Sequence, residues 1–342
     1  MAMRKQLKDI CRGFTKNIAL KDLGQHEGQF PIYGASGYIK DVDFYCCDTP
    51  YIGIVKDGSG VGRVDVYPGY SSLLGTMQYI VPNDEVDLRY LKYALTAMDL
   101  GSLYKGAAIP HIYFKEYGKF FVDLPDFETQ KHISASLDTI QNAIDLKRKQ
   151  LEDLDELVKS KFQEMFRDVD TNDKGFETVI GKDVFSFSSG KFLSAEKRKE
   201  EGIPVYGGNG ISWFTDEALI DYPTIIIGRV GAYCGNVKMV NTPVWITDNA
   251  IFIKSFKKQV FNIRFLCQLM ENASFDKYAD VVAQPKITQK PLENYKYIVP
   301  DIKLQERFAD YVKSVDMARK TVGDELVDLG ELMDSKMDEY FG

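Results

Sequence analysis

The chain has 342 residues, of which 44% are hydrophobic and 27% are charged, which is the balance of a soluble globular protein with room for two domains. No apolar run approaches the roughly 18 residues of a membrane span, and the N-terminus lacks the apolar stretch of a signal peptide. The net charge of −7 lies in residues 126–168 and 301–342, while residues 1–125 and 169–300 are close to neutral. Charge alone therefore neither supports nor excludes DNA as a partner.

The cysteine pattern argues against a disulfide framework and against a zinc site. The five cysteines are odd in number and contain no CxxC pair. This usage is typical of a reducing compartment, so we expect the protein to be cytoplasmic.

Residues 1–125 are predicted to form a first mixed domain. The run PYIGIVK at 50–56 has the composition of a strand and ends in a glycine-rich turn. The run LRYLKYALTAM at 88–98 has the 3–4 spacing of a short amphipathic helix. These patterns predict both element types without giving the strand order.

Residues 126–168 are predicted to form a long helix with an apolar seam in heptad spacing. The seam candidates in this segment are Ile133, Leu137, Ile140, Ile144, Leu151, Leu154, Val158 and Met165. Residues 169–300 are predicted to form a second mixed domain, and residues 301–342 a second long helix. The seam candidates there are Phe308, Val312, Val315, Val322, Leu326, Leu329, Met333 and Tyr340.

The two halves are related by an internal duplication. PIYGASG at 31–37 recurs as PVYGGNG at 204–210, 173 residues later. Farther along the offset becomes 175, where Gln130 matches Gln305 and Phe166 matches Phe341. A register held across so many residue types indicates that one domain and one helix occur twice.

Helix polarity predicts how the two copies are arranged. A helix of about 40 residues is roughly 60 Å long. The first helix delivers the chain to the second domain and the second helix leaves it, so helices paired along their length must run antiparallel. The predicted fold class is therefore α+β, with two tandem mixed α/β domains separated and followed by long helices in a pseudo-two-fold antiparallel coiled coil. The alternative is that each helix packs only on its own domain.

Enzyme signatures are not found in the sequence. It lacks a GxxxxGK[ST] phosphate loop, a GxSxG elbow and an HExxH motif. The three histidines lack metal-binding spacing. We therefore expect no catalytic residues and no metal site in this chain.

Paired loops carry the residue types that contact nucleic acid. Arg, Lys, Asn and Gln side chains read base edges, and glycine allows backbone to approach phosphates. The DNA-binding candidates are Tyr33, Ser36, Lys56, Arg63, Lys105 and His111 in the first copy, and Tyr206, Asn209, Arg229, Tyr233, Asn236, Gln284 and Lys286 in the second. For any one of these residues, an equally good interpretation is that the neighbouring glycine serves a turn and the polar side chain is only exposed to solvent. The polar residues differ between the copies, while the glycines, prolines and tyrosines around them are the same. This pattern favours two domains that recognise different half-sequences.

These motifs resemble the specificity subunits of Type I restriction–modification systems. The residues concerned are PVYGGNG, IGRVGAYCG at 227–235, QPKIT at 284–288 and VPDIKLQERF at 299–308. The first copy is looser, with VKDGSGVG and AAIPHI in the equivalent places, but LPDFETQKHI at 124–133 fits well. On this resemblance, 1–125 and 169–300 are target-recognition domains and 126–168 and 301–342 are coiled-coil helices. The chain is short for the family, so we expect no extra terminal segments.

The resemblance implies a non-catalytic subunit that recognises a bipartite, gapped sequence in double-stranded DNA, one half-site per domain. It implies two methyltransferase subunits and two restriction subunits as partners, and no membrane. No cofactor is expected on this chain, since S-adenosylmethionine, ATP and Mg²⁺ belong to those partners. The alternatives are a stand-alone DNA methyltransferase or nuclease, for which no motif is seen, and a two-headed adaptor that binds proteins.

Overall fold

The computed structural model describes residues 3–104, 110–241, 243–280 and 285–342. The chain divides into two compact units, one formed by residues 1–148 with 324–342 and the other by residues 149–323. Each unit therefore combines one copy of the repeat with one part of each long helix.

The first copy contains short strands and helices. Its strands are β1 (Met3–Gln6), β2 (Cys11–Phe14), β3 (Phe30–Gly34), β4 (Gly37–Val42), β5 (Tyr51–Val55), β6 (Val64–Tyr67), β7 (Ser72–Leu73), β8 (Met77–Pro82) and β9 (Phe121–Leu124). Its helices are α1 (Leu7–Ile10), α2 (Leu88–Ala97) and α3 (Phe114–Tyr117), with 3-10 turns at Leu20–Gln25 and Leu100–Leu103. The long helix α4 (Phe127–Phe166) follows.

The second copy repeats this order of elements. Its strands are β10 (Glu177–Ile180), β11 (Phe185–Ser189), β12 (Ile203–Gly207), β13 (Gly210–Thr215), β14 (Thr224–Gly228), β15 (Val237–Val240), β16 (Trp245–Ile246), β17 (Ala250–Phe256) and β18 (Lys296–Val299). Its helices are α5 (Gly181–Val184), α6 (Ile263–Asn272) and α7 (Gln289–Asn294), with 3-10 turns at Ala195–Lys197, Gly231–Tyr233 and Phe275–Tyr278. The long helix α8 (Ile302–Phe341) follows.

The sheet topology is the same in both copies, which confirms the predicted duplication. A four-stranded antiparallel sheet has the order β2-β8-β5-β6 in the first copy and β11-β17-β14-β15 in the second. A three-stranded sheet has the order β4-β3-β7 or β13-β12-β16, with its last pair parallel. A two-stranded sheet joins β1 to β9 or β10 to β18. The predicted mixed α/β class with two tandem domains is therefore correct.

The hydrophobic core lies between the four-stranded sheet and the short amphipathic helix. In the second copy, α6 buries Phe265, Leu266, Leu269 and Met270, which are spaced to fall on one face. Helix α2 buries its equivalent face in the first copy. The central strands β5 and β14 are buried along their whole length, because the short helix covers one face of the sheet and residues of the three-stranded sheet pack on the other.

Two equivalent glutamines attach the long helices to the cores. Gln305 is fully buried, its Oε1 accepts from the backbone N–H of Asn262 (2.9 Å), and its amide donates to the carbonyl oxygens of Val260 (3.1 Å) and Pro300 (2.9 Å). Gln130 makes the equivalent three hydrogen bonds in the first copy. The repeated glutamine thus joins the start of each long helix to the turn before α2 or α6.

In the second unit, the two long helices pair in antiparallel orientation. The ring of Phe308 near the start of α8 lies 5.4 and 5.5 Å from those of Phe162 and Phe166 near the end of α4. Farther along α8, the guanidinium of Arg319 is 2.6 Å from the carboxylate of Asp155. Residues with increasing numbers on α8 thus contact residues with decreasing numbers on α4, as antiparallel pairing requires.

The first unit shows the same orientation. The ammonium of Lys147 on α4 is 2.6 Å from the carboxylate of Glu325 on α8. The end of α8 packs against the domain core that contains Ile133 and Leu137 from the start of α4. The alternative that each helix packs only on its own domain is therefore wrong, since α8 follows the second domain and contributes to the first unit's core.

The predicted seam residues are all buried or half-buried. Those near the helix ends belong to the domain cores, such as Leu137 in the first unit and Val158 and Val315 in the second. The heptad pattern did not include Phe162, which is fully buried against the core of the second domain. Among the described residues, no helix is long and apolar enough to span a membrane.

Candidate nucleic-acid interface

In the second copy, the loop after β14 and the loop before α7 are joined by backbone hydrogen bonds. The N–H of Gly231 donates to the carbonyl oxygen of Pro285 (2.9 Å), and the N–H of Ile287 donates to that of Arg229 (2.9 Å). Gly231 has a φ of +79°, a conformation that favours glycine. Two loops that are far apart in sequence therefore form one surface.

The β12–β13 turn packs against the same surface. A Cβ built on Gly208 would lie 3.4 Å from the Cα of Gly228 and 3.8 Å from the carbonyl oxygen of Val230. The ammonium of Lys238 donates to the carbonyl oxygen of Asn209 (3.2 Å). All three predicted loops of this copy thus meet at the ends of β12 and β14.

Several polar side chains of this surface face solvent. Asn209, Asn236 and Lys286 are exposed, and Tyr233 is 45% exposed. Arg229 is half-buried, and its guanidinium donates to the carbonyl oxygen of Asp248 (3.2 Å). This contact fixes the direction of the arginine at the edge of the surface.

Two further predicted residues of this copy have other positions. Tyr206 is half-buried against the core beside β15 and β16, and burial raises its pKa. Its place suits packing more than contact with a ligand. Gln284 lies outside the described residues.

In the first copy, the corresponding loops are joined in the same way. The N–H of Gly58 donates to the carbonyl oxygen of Pro110 (3.1 Å), and the N–H of Ile112 donates to that of Lys56 (3.0 Å). Gly58 also has a positive φ, of +85°. The backbone frame of the interface is thus duplicated along with the fold.

The side chains on this frame differ between the copies. Asp57 forms an ion pair with Lys56, and its other carboxylate oxygen lies 2.8 Å from Nδ1 of His111. Only 17% of the Lys56 side chain is exposed. The carboxylate of Asp57 therefore contacts both predicted residues, Lys56 and His111. The sequence did not point to Asp57, although it is next to Lys56.

The remaining candidates of the first copy differ in exposure. Ser36 is exposed, and Arg63 is 51% exposed with its guanidinium 3.7 Å from the carboxylate of Asp65. Tyr33 is half-buried, with its ring 4.9 Å from that of Tyr67. Lys105 lies outside the described residues.

Across the described ranges, no group of three or more His, Cys, Asp or Glu side chains is arranged to hold a metal ion. The short contacts of two histidines are to single carboxylates, His26 to Asp43 and His111 to Asp57.

The duplicated domain matches a known family model. The model described as the Type I restriction modification DNA specificity domain matches residues 2–156 and 173–323. The chain belongs to this family and carries its domain twice.

Two curated proteins are related in sequence. The specificity subunit of the Type I restriction enzyme EcoprrI from Escherichia coli is 28% identical over 154 residues, which are 44% of this chain and 38% of that protein. A putative type I specificity subunit from Mycoplasma genitalium is 25% identical over 277 residues, 75% of this chain and 66% of that one. The matches thus span less than two thirds of either relative.

Two solved structures share the fold over the whole chain. The S subunit of a Type I restriction–modification system from Mycoplasma genitalium aligns with a TM-score of 0.67 at 19% identity, covering 100% of this chain and 96% of that one. A chain from a study of complex assembly and conformational transition in the type I system aligns with a TM-score of 0.54 at 14% identity, covering 99% and 97%.

Proposed function

We propose that this chain is a non-catalytic recognition subunit that reads a bipartite, gapped sequence in double-stranded DNA, one half-site with each domain. One observation carries the proposal. The same backbone frame, with Gly58 bonded to Pro110 and Gly231 bonded to Pro285, presents different side chains in the two copies. A shared backbone frame that carries different polar side chains suits two domains that recognise different DNA sequences.

The charge at equivalent positions illustrates the difference. In the first copy, Asp57 forms an ion pair with Lys56, and its carboxylate lies 2.8 Å from Nδ1 of His111. In the second copy, Val230 stands at the position of Asp57, and Lys286 at the position of His111 is exposed. At these two positions the second frame carries no carboxylate, and we expect its domain to make the stronger phosphate contacts.

We further propose that the paired helices hold two methyltransferase subunits, and that two restriction subunits join this assembly. Membership of the specificity family supports these partners, and one of the structural neighbours comes from work on the assembly of a type I complex. In this proposal S-adenosylmethionine, ATP and Mg²⁺ are bound by the partner subunits and none by this chain, which works in the cytoplasm.

A domain exchange tests the division of labour. Residues 169–300 are replaced by those of a relative, and the recognised sequence is mapped by methylation in the assembled complex. The proposal expects one half of the sequence to change while the other half is kept. A change in both halves would contradict independent domains.

A binding experiment tests the alternatives. The full chain, alone and with a methyltransferase subunit, is mixed with randomised duplex DNA and labelled S-adenosylmethionine. We expect sequence-selective binding with the partner and no methyl transfer without it. Methyl transfer by the chain alone would support a stand-alone enzyme, and lack of DNA binding in both conditions would support a protein adaptor.

A further inference from the structure

The second domain contains a polar cavity between two of the loops described above. Its volume is about 370 Å³, and it lies between the β12–β13 turn and the loop after β14. The residues that matter for its chemistry are Gly207, Ser212, Trp213, Tyr233, Thr247 and Asn249. It therefore opens within the proposed DNA-binding surface.

Two polar groups of this lining have no hydrogen-bond partner among the described residues. One is the hydroxyl of Thr247, a residue that is only 5% exposed, and the other is the indole N–H of Trp213. The backbone N–H of Thr247 donates to the carbonyl oxygen of Tyr206 (2.9 Å), which holds the residue in place. A buried hydroxyl without a partner lowers the stability of a fold, and a group that enters the cavity can supply the missing hydrogen bond.

The first copy has apolar side chains at the same place. A Cβ built on Gly34 would lie 3.0 Å from Cδ1 of Ile39 and 3.2 Å from Cδ1 of Leu74. At the offset of 173 residues these positions correspond to Gly207, Ser212 and Thr247. The fold is thus compatible with apolar side chains at two of these positions, whereas Lys40 and Thr76 of the first copy correspond to Trp213 and Asn249.

The lining indicates the chemistry of the ligand. The described residues that line the cavity are uncharged, and the guanidinium of Arg198 lies over the ring of Trp213, 4.2 Å from its centroid. The lining combines the rings of Trp213 and Tyr233 with neutral hydroxyl, indole and amide groups. Neutral hydrogen-bond donors and acceptors suit the groove edge of a nucleobase, which can form hydrogen bonds while the base stays in the duplex.

We propose that this cavity receives the groove edge of a nucleobase of the half-site read by the second domain, with the Thr247 hydroxyl as a hydrogen-bonding group. The inference rests on the proposed function and adds that one base of this half-site is selected here. Thr247 is then a specificity-determining residue with no counterpart in the first domain, where Leu74 takes its place.

Two variants test the cavity without disturbing the fold. Thr247→Val keeps the shape of the side chain and removes a hydroxyl that bonds to no described residue. Gly207→Ala adds a methyl group 3.4 Å from Oγ of Ser212 and 3.7 Å from Oγ1 of Thr247, which are ordinary contact distances. As a matched control, Thr224→Val removes a buried hydroxyl that donates to the carbonyl oxygen of Ile253 (2.6 Å) outside the cavity.

The full chain with its methyltransferase partner is first used to select the preferred sequence from randomised duplex DNA. Dissociation constants are then measured for this duplex and for each single base-pair change in both half-sites, together with the melting temperature. We expect Thr247→Val and Gly207→Ala to weaken binding of the preferred duplex by about tenfold. The loss should equal the effect of changing one base pair of the second half-site, with no loss of melting temperature.

The outcomes separate the two proposals. If the wild-type chain selects no sequence, the proposed function itself fails. If the wild type selects a sequence and both cavity variants keep its affinity and base preference, the cavity does not receive a base and this inference is overturned. Thr224→Val should lower the melting temperature and leave the base preference unchanged.

Discussion

The buried glutamine Gln305 offers a quantitative test of how the long helices are attached. Replacing it with alanine removes three hydrogen bonds of 2.9 to 3.1 Å and leaves the N–H of Asn262 and the carbonyl oxygens of Val260 and Pro300 without this partner. Asn262 is also the N-cap of α6, so the loss affects that helix as well.

The expected cost follows from these three bonds. Each buried hydrogen bond contributes about 1 kcal/mol net, so Gln305→Ala should lower the free energy of unfolding by about 3 kcal/mol. For a unit of this size, each 1 kcal/mol corresponds to about 2–4 °C, which gives a shift of about 6–12 °C in melting temperature. Gln130→Ala should have a similar effect on the first unit, because its three bonds are equivalent.

Scanning calorimetry of the full chain, with urea unfolding followed by circular dichroism, measures these changes. The control is Gln141→Ala on α4, since this amide donates to the carboxylate of Asp145 (3.0 Å) on the exposed side of the helix. Such a surface pair contributes only about 0.2–0.5 kcal/mol. If Gln305→Ala cost no more than Gln141→Ala, the glutamine would not anchor the helix and the reasoning would be refuted.

Three other predictions concern the helices and the first domain. Leu151→Lys and Leu326→Lys each place a charge at a half-buried seam position. Each should lower the free energy of unfolding in urea by about 1–3 kcal/mol and change the tolerated spacing between half-sites. Unchanged stability and spacing would mean that the seam is misassigned. Burial raises the pKa of Cys11 to about 12, so iodoacetamide at pH 8 should label this thiol only after denaturation, and peptide mass spectrometry would reveal contrary labelling of the native chain. Hydrogen bonds from the backbone N–H and the hydroxyl of Thr129 lower the pKa of Asp126, so its carboxylate contributes stability that is lost as pH falls below about 4. Asp126→Asn should therefore lose less stability on acidification than the wild type, and parallel acid-unfolding curves would contradict this.

The sequence determined the duplication and the two long helices because both are carried by local patterns. A heptad run specifies a helix whatever surrounds it, and α4 (Phe127–Phe166) and α8 (Ile302–Phe341) follow such runs. The matching of Gln130 with Gln305 was also visible in the sequence, although the reason for it was not. Two of the three hydrogen bonds of each glutamine join residues more than 40 positions apart, which no local pattern reveals.

Tertiary structure alone decided the strand order, the meeting of the loops and the state of their side chains. The sequence singled out Lys56 and His111 by residue type, but only the fold brings Asp57 between them. The sequence likewise pointed to Asn209 and Tyr233 by residue type but not to Thr247. The hydroxyl of Thr247 is notable only because it is buried without a hydrogen-bond partner, which the sequence does not show. Residue type is local, whereas burial and hydrogen-bond partners depend on chain segments that meet only in the folded protein.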